Sequence, residues 1–171
     1  LWQIRIPRIF TALIVGAALG VAGALAQGAT NNPLAEPAIL GTSAGAAIAV
    51  VIGVLANIVV IGSVGAMAIA AIGALLATLL TLRFATLERN VSPLNLVIIG
   101  LSLSATISAV VGLLTTAVSR SDARSISFWS FGSLALTNSN DLIPLLIFTL
   151  VGIAIALFIA PKLDQLSLGD T

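Results

Sequence analysis

Few side chains in this sequence could carry chemistry, and each group of them points to a different kind. Gly41-Thr42-Ser43-Ala44-Gly45 spells the G-x-S-x-G pattern of a serine nucleophile on a strand-to-helix elbow, which needs a histidine base. The sequence holds no His, and the flanks are apolar helix formers, so acyl transfer is excluded. With neither His nor Cys, no metal site is expected, and no other cofactor is expected either. No G-x-x-x-x-G-K-[ST] loop is present, so ATP is not bound by that route. Catalysis is therefore not expected.

The remaining polar groups suggest handling of a solute or a partner. Arg5 and Arg8 bracket Pro7 beside Trp2, an arrangement that suits an interfacial anchor, with the indole at headgroup level and the guanidinium groups snorkelling. Ser104, Ser108 and Thr115 recur at i, i+4 and i+11, one face of a helix. Such hydroxyls either bond back to their own helix or a neighbour, or line a wet pathway. Glu36 lies between Pro33 and Pro37, within Asn31–Gly45. A carboxylate at bilayer depth costs about 2.5–3.5 kcal/mol, so it needs a partner, a cavity or an interface. The two prolines disfavour helix there, and non-helical backbone at membrane depth survives only where protein or water satisfies it. A broken-helix loop built on Asn32, Pro33, Glu36, Pro37 and Gly41 is the expectation.

Composition sets what surrounds these groups. Hydrophobic residues make up 59% of the 171 and charged residues 8%, against about 25% charged in a soluble domain. Such a chain is an integral membrane protein. Its net charge of +1 and lack of a basic cluster give no reason to expect nucleic acid. The sequence opens on Leu1 without a signal-peptide pattern and stops after Leu-Ser-Leu-Gly-Asp-Thr, so a piece of a longer chain is expected.

The apolar runs resolve into an all-α bundle of about five transmembrane helices plus one short interfacial or re-entrant helix. The spans are expected near 9–27, 39–56, 65–82, 94–118 and 142–160, within a single membrane domain over 1–171. The first carries Gly16 and Gly20 at the G-x-x-x-G spacing that lets helices approach closely, with Gly23 beyond. Ile39–Leu82 is roughly 44 residues, about 66 Å if helical, and so must turn once, in the region marked by Asn57 and Gly62-Ser63-Val64-Gly65. Arg83, Glu88, Arg89 and Asn90 form a polar loop that ends at Ser92-Pro93, where proline suits a helix start. Ser119–Asp141 holds the aromatic run Ile126-Ser127-Phe128-Trp129-Ser130-Phe131, too short to cross a bilayer. Pro161 and Lys162 are expected to close the last span. Arg5, Arg8, Arg120 and Arg124 on one side balance Arg83, Arg89 and Lys162 on the other, so charge does not set orientation.

Several of these stretches together resemble a known family. They are Trp2–Arg8, Leu13–Leu19, Gly23–Gln27, Asn32-Pro33-Leu34-Ala35-Glu36-Pro37, Leu40–Ala46, Leu82–Ala85, Ile99–Leu103, Phe128–Ser133 and Leu166–Asp170. In order along the whole chain, they are similar to the FecCD-type permeases, the membrane subunits of ATP-binding-cassette (ABC) importers for ferric siderophores, haem and cobalamin. The resemblance implies a ten-helix permease of the bacterial inner membrane, of which this chain matches the second to sixth helices. It implies a homodimer in the lipid bilayer, seated on a separate cytoplasmic ABC ATPase and fed by an extracytoplasmic substrate-binding protein. It implies that Arg5 and Arg8 face outward and dock acidic residues of that binding protein. Ser104, Ser108, Thr115 and Phe128 would then lie on the translocation path, and the Asn32–Gly41 break would be structural. The runner-up reading is an ion-coupled secondary transporter, whose ion carrier could only be Glu36. A purely structural membrane subunit is the third, and would need no hydroxylated face.

Overall fold

A computed structural model describes residues 5–87, 92–134 and 137–167. Among the described residues all regular structure is helical: α1 Arg5–Thr30, a 3-10 turn Pro37–Leu40, α2 Thr42–Leu55, α3 Val64–Leu87, α4 Pro93–Ala117, α5 Arg120–Phe131 and α6 Ser139–Ser167. Four of them, α1, α3, α4 and α6, contain apolar stretches long enough to cross a membrane. The all-α membrane fold read from composition therefore holds. The chain divides into two compact units, Leu1–Pro37 with Ser133–Thr171, and Ala38–Gly132.

In the first unit α1 packs on α6, leaving an apolar groove of about 290 Å³ between Ala18, Val21, Leu25, Phe148, Gly152 and Ile153. Helix α1 ends because Asn31 turns left-handed, at φ 48°. The amide of Asn32 then bonds the Gln27 carbonyl at 3.2 Å, and that of Asn31 the Gly28 carbonyl, a Schellman closure with asparagine in glycine's usual place. Beyond it, Asn32 Oδ1 accepts from the Leu34 amide and Gln27 Nε2 donates to the Pro33 carbonyl, so the loop satisfies its own backbone. Helix α6 runs on through Pro161 to Ser167, where the sequence suggested a stop. A proline in the last turns forfeits one backbone bond, and Lys162 Nζ sits 6.0 Å over the Phe158 ring one turn back.

In the second unit α2 and α3 form a hairpin, with α4 laid against both. The second apolar run begins later as α-helix than its hydropathy suggests. Ile39 and Leu40 belong to the 3-10 turn and Gly41 is left-handed, which leaves α2 with 14 residues, about 21 Å. Its far end repeats the α1 device: Asn57 is left-handed, and the amides of Asn57 and Ile58 bond the carbonyls of Val54 and Gly53. The hairpin then returns through left-handed Gly62, and Ser63 Oγ caps α3 by accepting from the Ala66 amide at 3.1 Å.

What lets α2 and α3 pack is the absence of side chains at their crossing. A Cβ on Gly45 would collide with the Gly73 carbonyl and Ala77, and a Cβ on Gly73 with the Gly45 carbonyl and Ala49. Gly45-x-x-x-Ala49 faces Gly73-x-x-x-Ala77, the small-residue packing by which membrane helices approach. By contrast, nothing described lies within 4 Å of a Cβ on Gly16 or Gly20, the pair singled out from spacing. Gly73→Val is expected to destabilise the hairpin by at least about 1–3 kcal/mol, since backbone rather than a yielding side chain meets the new methyls. Unfolding of the purified protein in mixed micelles reads this out, and a wild-type midpoint would refute the close crossing.

Candidate functional site

The polar groups of the second unit gather where α2 begins. Gly41 precedes α2 at φ 82° and ψ 6°, a conformation that glycine adopts freely, and no side chain caps the helix from this position. The turn in front of it is held from two sides. From α3, the Thr81 hydroxyl donates to the Leu40 carbonyl at 3.0 Å, and Thr81 is fully buried. From α4, Gly100 presses on the turn so closely that a Cβ there would collide with the Ile39 carbonyl. One turn further along α4 the Ser104 Oγ lies 3.6 Å from where a Cβ on Gly41 would stand, as does Thr81 Oγ1. The Ser104 Oγ is buried and has no hydrogen-bond partner among the described residues. An unmade bond of this kind costs about 1–3 kcal/mol.

The structure thus joins residues that the sequence reading kept apart, Gly41 of the broken loop and Ser104 of the hydroxyl face. Further along that face Ser108 is exposed, while the Thr115 hydroxyl bonds back to the Gly112 carbonyl at 2.7 Å. Thr106 and Thr116 also bond back within α4, to Ser102 and Leu113. Helix α5, which follows, is set by Ser119: its Oγ accepts from the Asp122 amide and donates to Asp122 Oδ2 at 2.7 Å. It buries Ile126 and presents Phe128, 63% exposed, and Phe131, 88% exposed. At 12 residues α5 is about 18 Å long, short of a crossing.

The other candidates lie in the first unit. Arg5 and Arg8 share the first turn of α1, Arg5 exposed and Arg8 half-buried with its Nε covered, on either side of buried Pro7. Glu36 and Pro33 are exposed, Asn32 and Pro37 half-buried, and Ala35 is buried. Ser43 sits in the first turn of α2 behind a 3-10 turn rather than a strand, so the nucleophile-elbow geometry is not formed. Sequence reasoning missed Thr81. Its only signal was a hydroxyl within a leucine-rich run, and Thr78 in the same run merely bonds back to the Ala74 carbonyl at 2.9 Å.

The profile of the FecCD transport family matches residues 1–171, the whole chain. The chain belongs to the FecCD transport family. It is similar to the vitamin B12 import system permease protein BtuC of Klebsiella pneumoniae, 37% identical over 135 residues, covering 77% of this chain and 39% of that protein. The BtuC of Serratia proteamaculans is 39% identical over 131 residues, again 77% of this chain and 39% of the relative. The chain therefore spans about two fifths of the length of these curated relatives. Among solved structures, it is similar to a chain of an inward-facing ABC transporter assigned to the metal-chelate type. There the TM-score is 0.80 and the identity 32%, over 98% of this chain and 53% of the other. The chain is accordingly a multi-pass membrane protein of the ABC permease kind.

Thr81→Val should cost about 1–3 kcal/mol, because the half-buried Leu40 carbonyl loses that donor. Thr78→Val, which loses only a bond within its own helix, should cost well under half as much. Equal midpoints for the two variants in a denaturation series would show that the Leu40 bond is not what holds the turn.

Proposed function

We propose that this chain forms part of the translocation path of an ABC importer in the bacterial inner membrane. The observation that carries the reading is the likeness to an ABC transporter chain over nearly all of this one, at an identity high enough to extend beyond fold. The cargo is a metal chelate, and cobalamin is the first to test, because the curated relatives are vitamin B12 permeases. Ferric siderophore and haem are the other members of that class. The permease has no catalytic role of its own. A cytoplasmic ABC ATPase drives it, an extracytoplasmic binding protein loads it, and two copies of the permease enclose the path.

On this reading the chain crosses the membrane five times, with the 3-10 turn and α2 together making the second crossing. Ser108 and Thr115 on α4 and Phe128 on α5 line the path, while the hydroxyl of Ser104, expected from the sequence on the same face, is buried against Gly41. Exposed Ser108 and Phe128 offer a hydroxyl and an aromatic face to a large, partly polar chelate. Arg5 and Arg8 form the docking point for the binding protein, since a guanidinium presents a rigid bidentate fork to a carboxylate and rim charges set orientation and on-rate. Asn32, Pro33, Glu36, Pro37 and Gly41 remain structural, a break that hands the chain from α1 to α2.

The deciding experiment reconstitutes the complete native permease in liposomes with its ATPase and binding protein, and supplies radiolabelled cobalamin, a ferric siderophore or haem. ATP-dependent uptake of one of them is expected. Uptake that ignores ATP and follows an ion gradient would overturn the reading in favour of a secondary transporter, with Glu36 as the residue to examine. Arg5→Glu combined with Arg8→Glu is expected to weaken binding-protein association by at least tenfold while leaving the permease folded. Association at wild-type strength would rule out docking through this pair.

A further inference from the structure

We propose that Ser104 is a positioning residue for transport. Its hydroxyl ties α4 to the Ile39–Gly41 segment in one state of the cycle and is released in the arrangement described above. The inference rests on the importer reading above. What points to it is a buried donor that is turned away from its ordinary partner. Several hydroxyls of the second unit satisfy themselves on the carbonyl four residues back, as Thr106, Ser125, Ser127 and Ser130 do, and Thr115 and Thr116 bond three residues back. Ser104 makes no such bond to Gly100, and its Oγ stands against Gly41 without a partner among the described residues. A buried polar group in this condition calls for a physical account.

The neighbouring geometry supplies one. The Leu40 carbonyl accepts from Thr81 of α3, and a carbonyl oxygen has room for a second donor. Helix α4 meets the same segment through the bare backbone of Gly100 against Ile39 and Leu40, and through Leu103 and Ser104 against Gly41. The proposed motion is a shift of α4 that carries the Ser104 hydroxyl from beside Gly41 to the neighbouring Leu40 carbonyl, so that α3 and α4 grip one carbonyl. Gly41, left-handed and without a capping side chain, is the point at which the segment can pivot on α2. Ser108 and Thr115 are carried on the same helix as Ser104, so the latch sets where the proposed path lining stands. The turn and α4 then form a two-state element, which a ligand or nucleotide biases by favouring one arrangement.

The test uses the complete native permease assembled with its ATPase and binding protein, as wild type, Ser104→Ala and Ser104→Thr. Each is melted free of nucleotide and after trapping with ATP and orthovanadate, and ATP turnover stimulated by the binding protein is measured. Ser104→Ala is expected to melt at or above wild type when free of nucleotide, and below it when trapped. Its stimulated turnover should fall about two- to tenfold, the size of one hydrogen bond made in one state only. Ser104→Thr keeps the hydroxyl and should restore both readings. Ser104→Ala that matches wild type in both forms overturns the latch, and so does an equal loss of stability in both forms, which marks a static packing role. A wild type without stimulated turnover overturns the importer reading and the latch with it, whereas a stimulated wild type matched by Ser104→Ala overturns the latch alone.

Discussion

One hydrogen bond, from Thr81 to the Leu40 carbonyl, reaches across the fold to the break at the start of the second unit. Membrane helices satisfy their backbones internally, and any interruption leaves carbonyls and amides that lipid cannot serve. The chain interrupts itself between Pro37 and Gly41, in the middle of apolar sequence. Thr81 supplies the donor that the surroundings lack, from a position with no exposure at all. The bare backbone of Gly100 closes the other side by letting α4 come within contact of Ile39. Remove Thr81 and the turn loses its polar partner; fill the space at Gly100 and it loses its lid.

The first unit solves the same problem with its own means. The loop after α1 carries its satisfaction along, through left-handed Asn31, the Asn32 side chain and the reach of Gln27 to Pro33. Glu36 is left exposed by this arrangement rather than buried in it. The two halves of the Asn31–Gly45 stretch thus differ in kind: the first is self-sufficient, while the second borrows from helices distant in sequence.

How much of this was legible follows from the range of each interaction. Asn57 and Gly62 mark the hairpin turn, because left-handed residues are a local necessity that few side chains meet. The start of α2 was not legible in detail. Ile39 and Leu40 are as apolar as the helix behind them, and only the proline before and the glycine after divert them. Small-residue spacing is a weak signal for a related reason. Gly16 and Gly20 on α1 have the same spacing as Gly45–Ala49 and Gly73–Ala77, and only the actual approach of two backbones tells them apart. Thr81 was invisible because a threonine that bonds its own helix and one that bonds another read identically. Pro161 looked like a terminus, yet a proline near the end of a helix loses too little to stop it. The family itself was legible from short motifs distributed along the chain, and the match of its profile to residues 1–171 agrees.

The short α2 has a consequence for how the protein is made. Fourteen residues give about 21 Å of helix, less than a hydrocarbon core of about 30 Å, so α2 is a poor candidate to partition into lipid alone. Its closed turn at Asn57 and its glycine seam against α3 form from residues close in sequence, available as soon as α3 leaves the ribosome. Biogenesis should therefore treat α2 and α3 as one inserting hairpin, with the longer arm carrying the shorter into the bilayer. The Pro37–Gly41 break, whose polar partner lies in the longer arm, reaches membrane depth already accompanied by its donor.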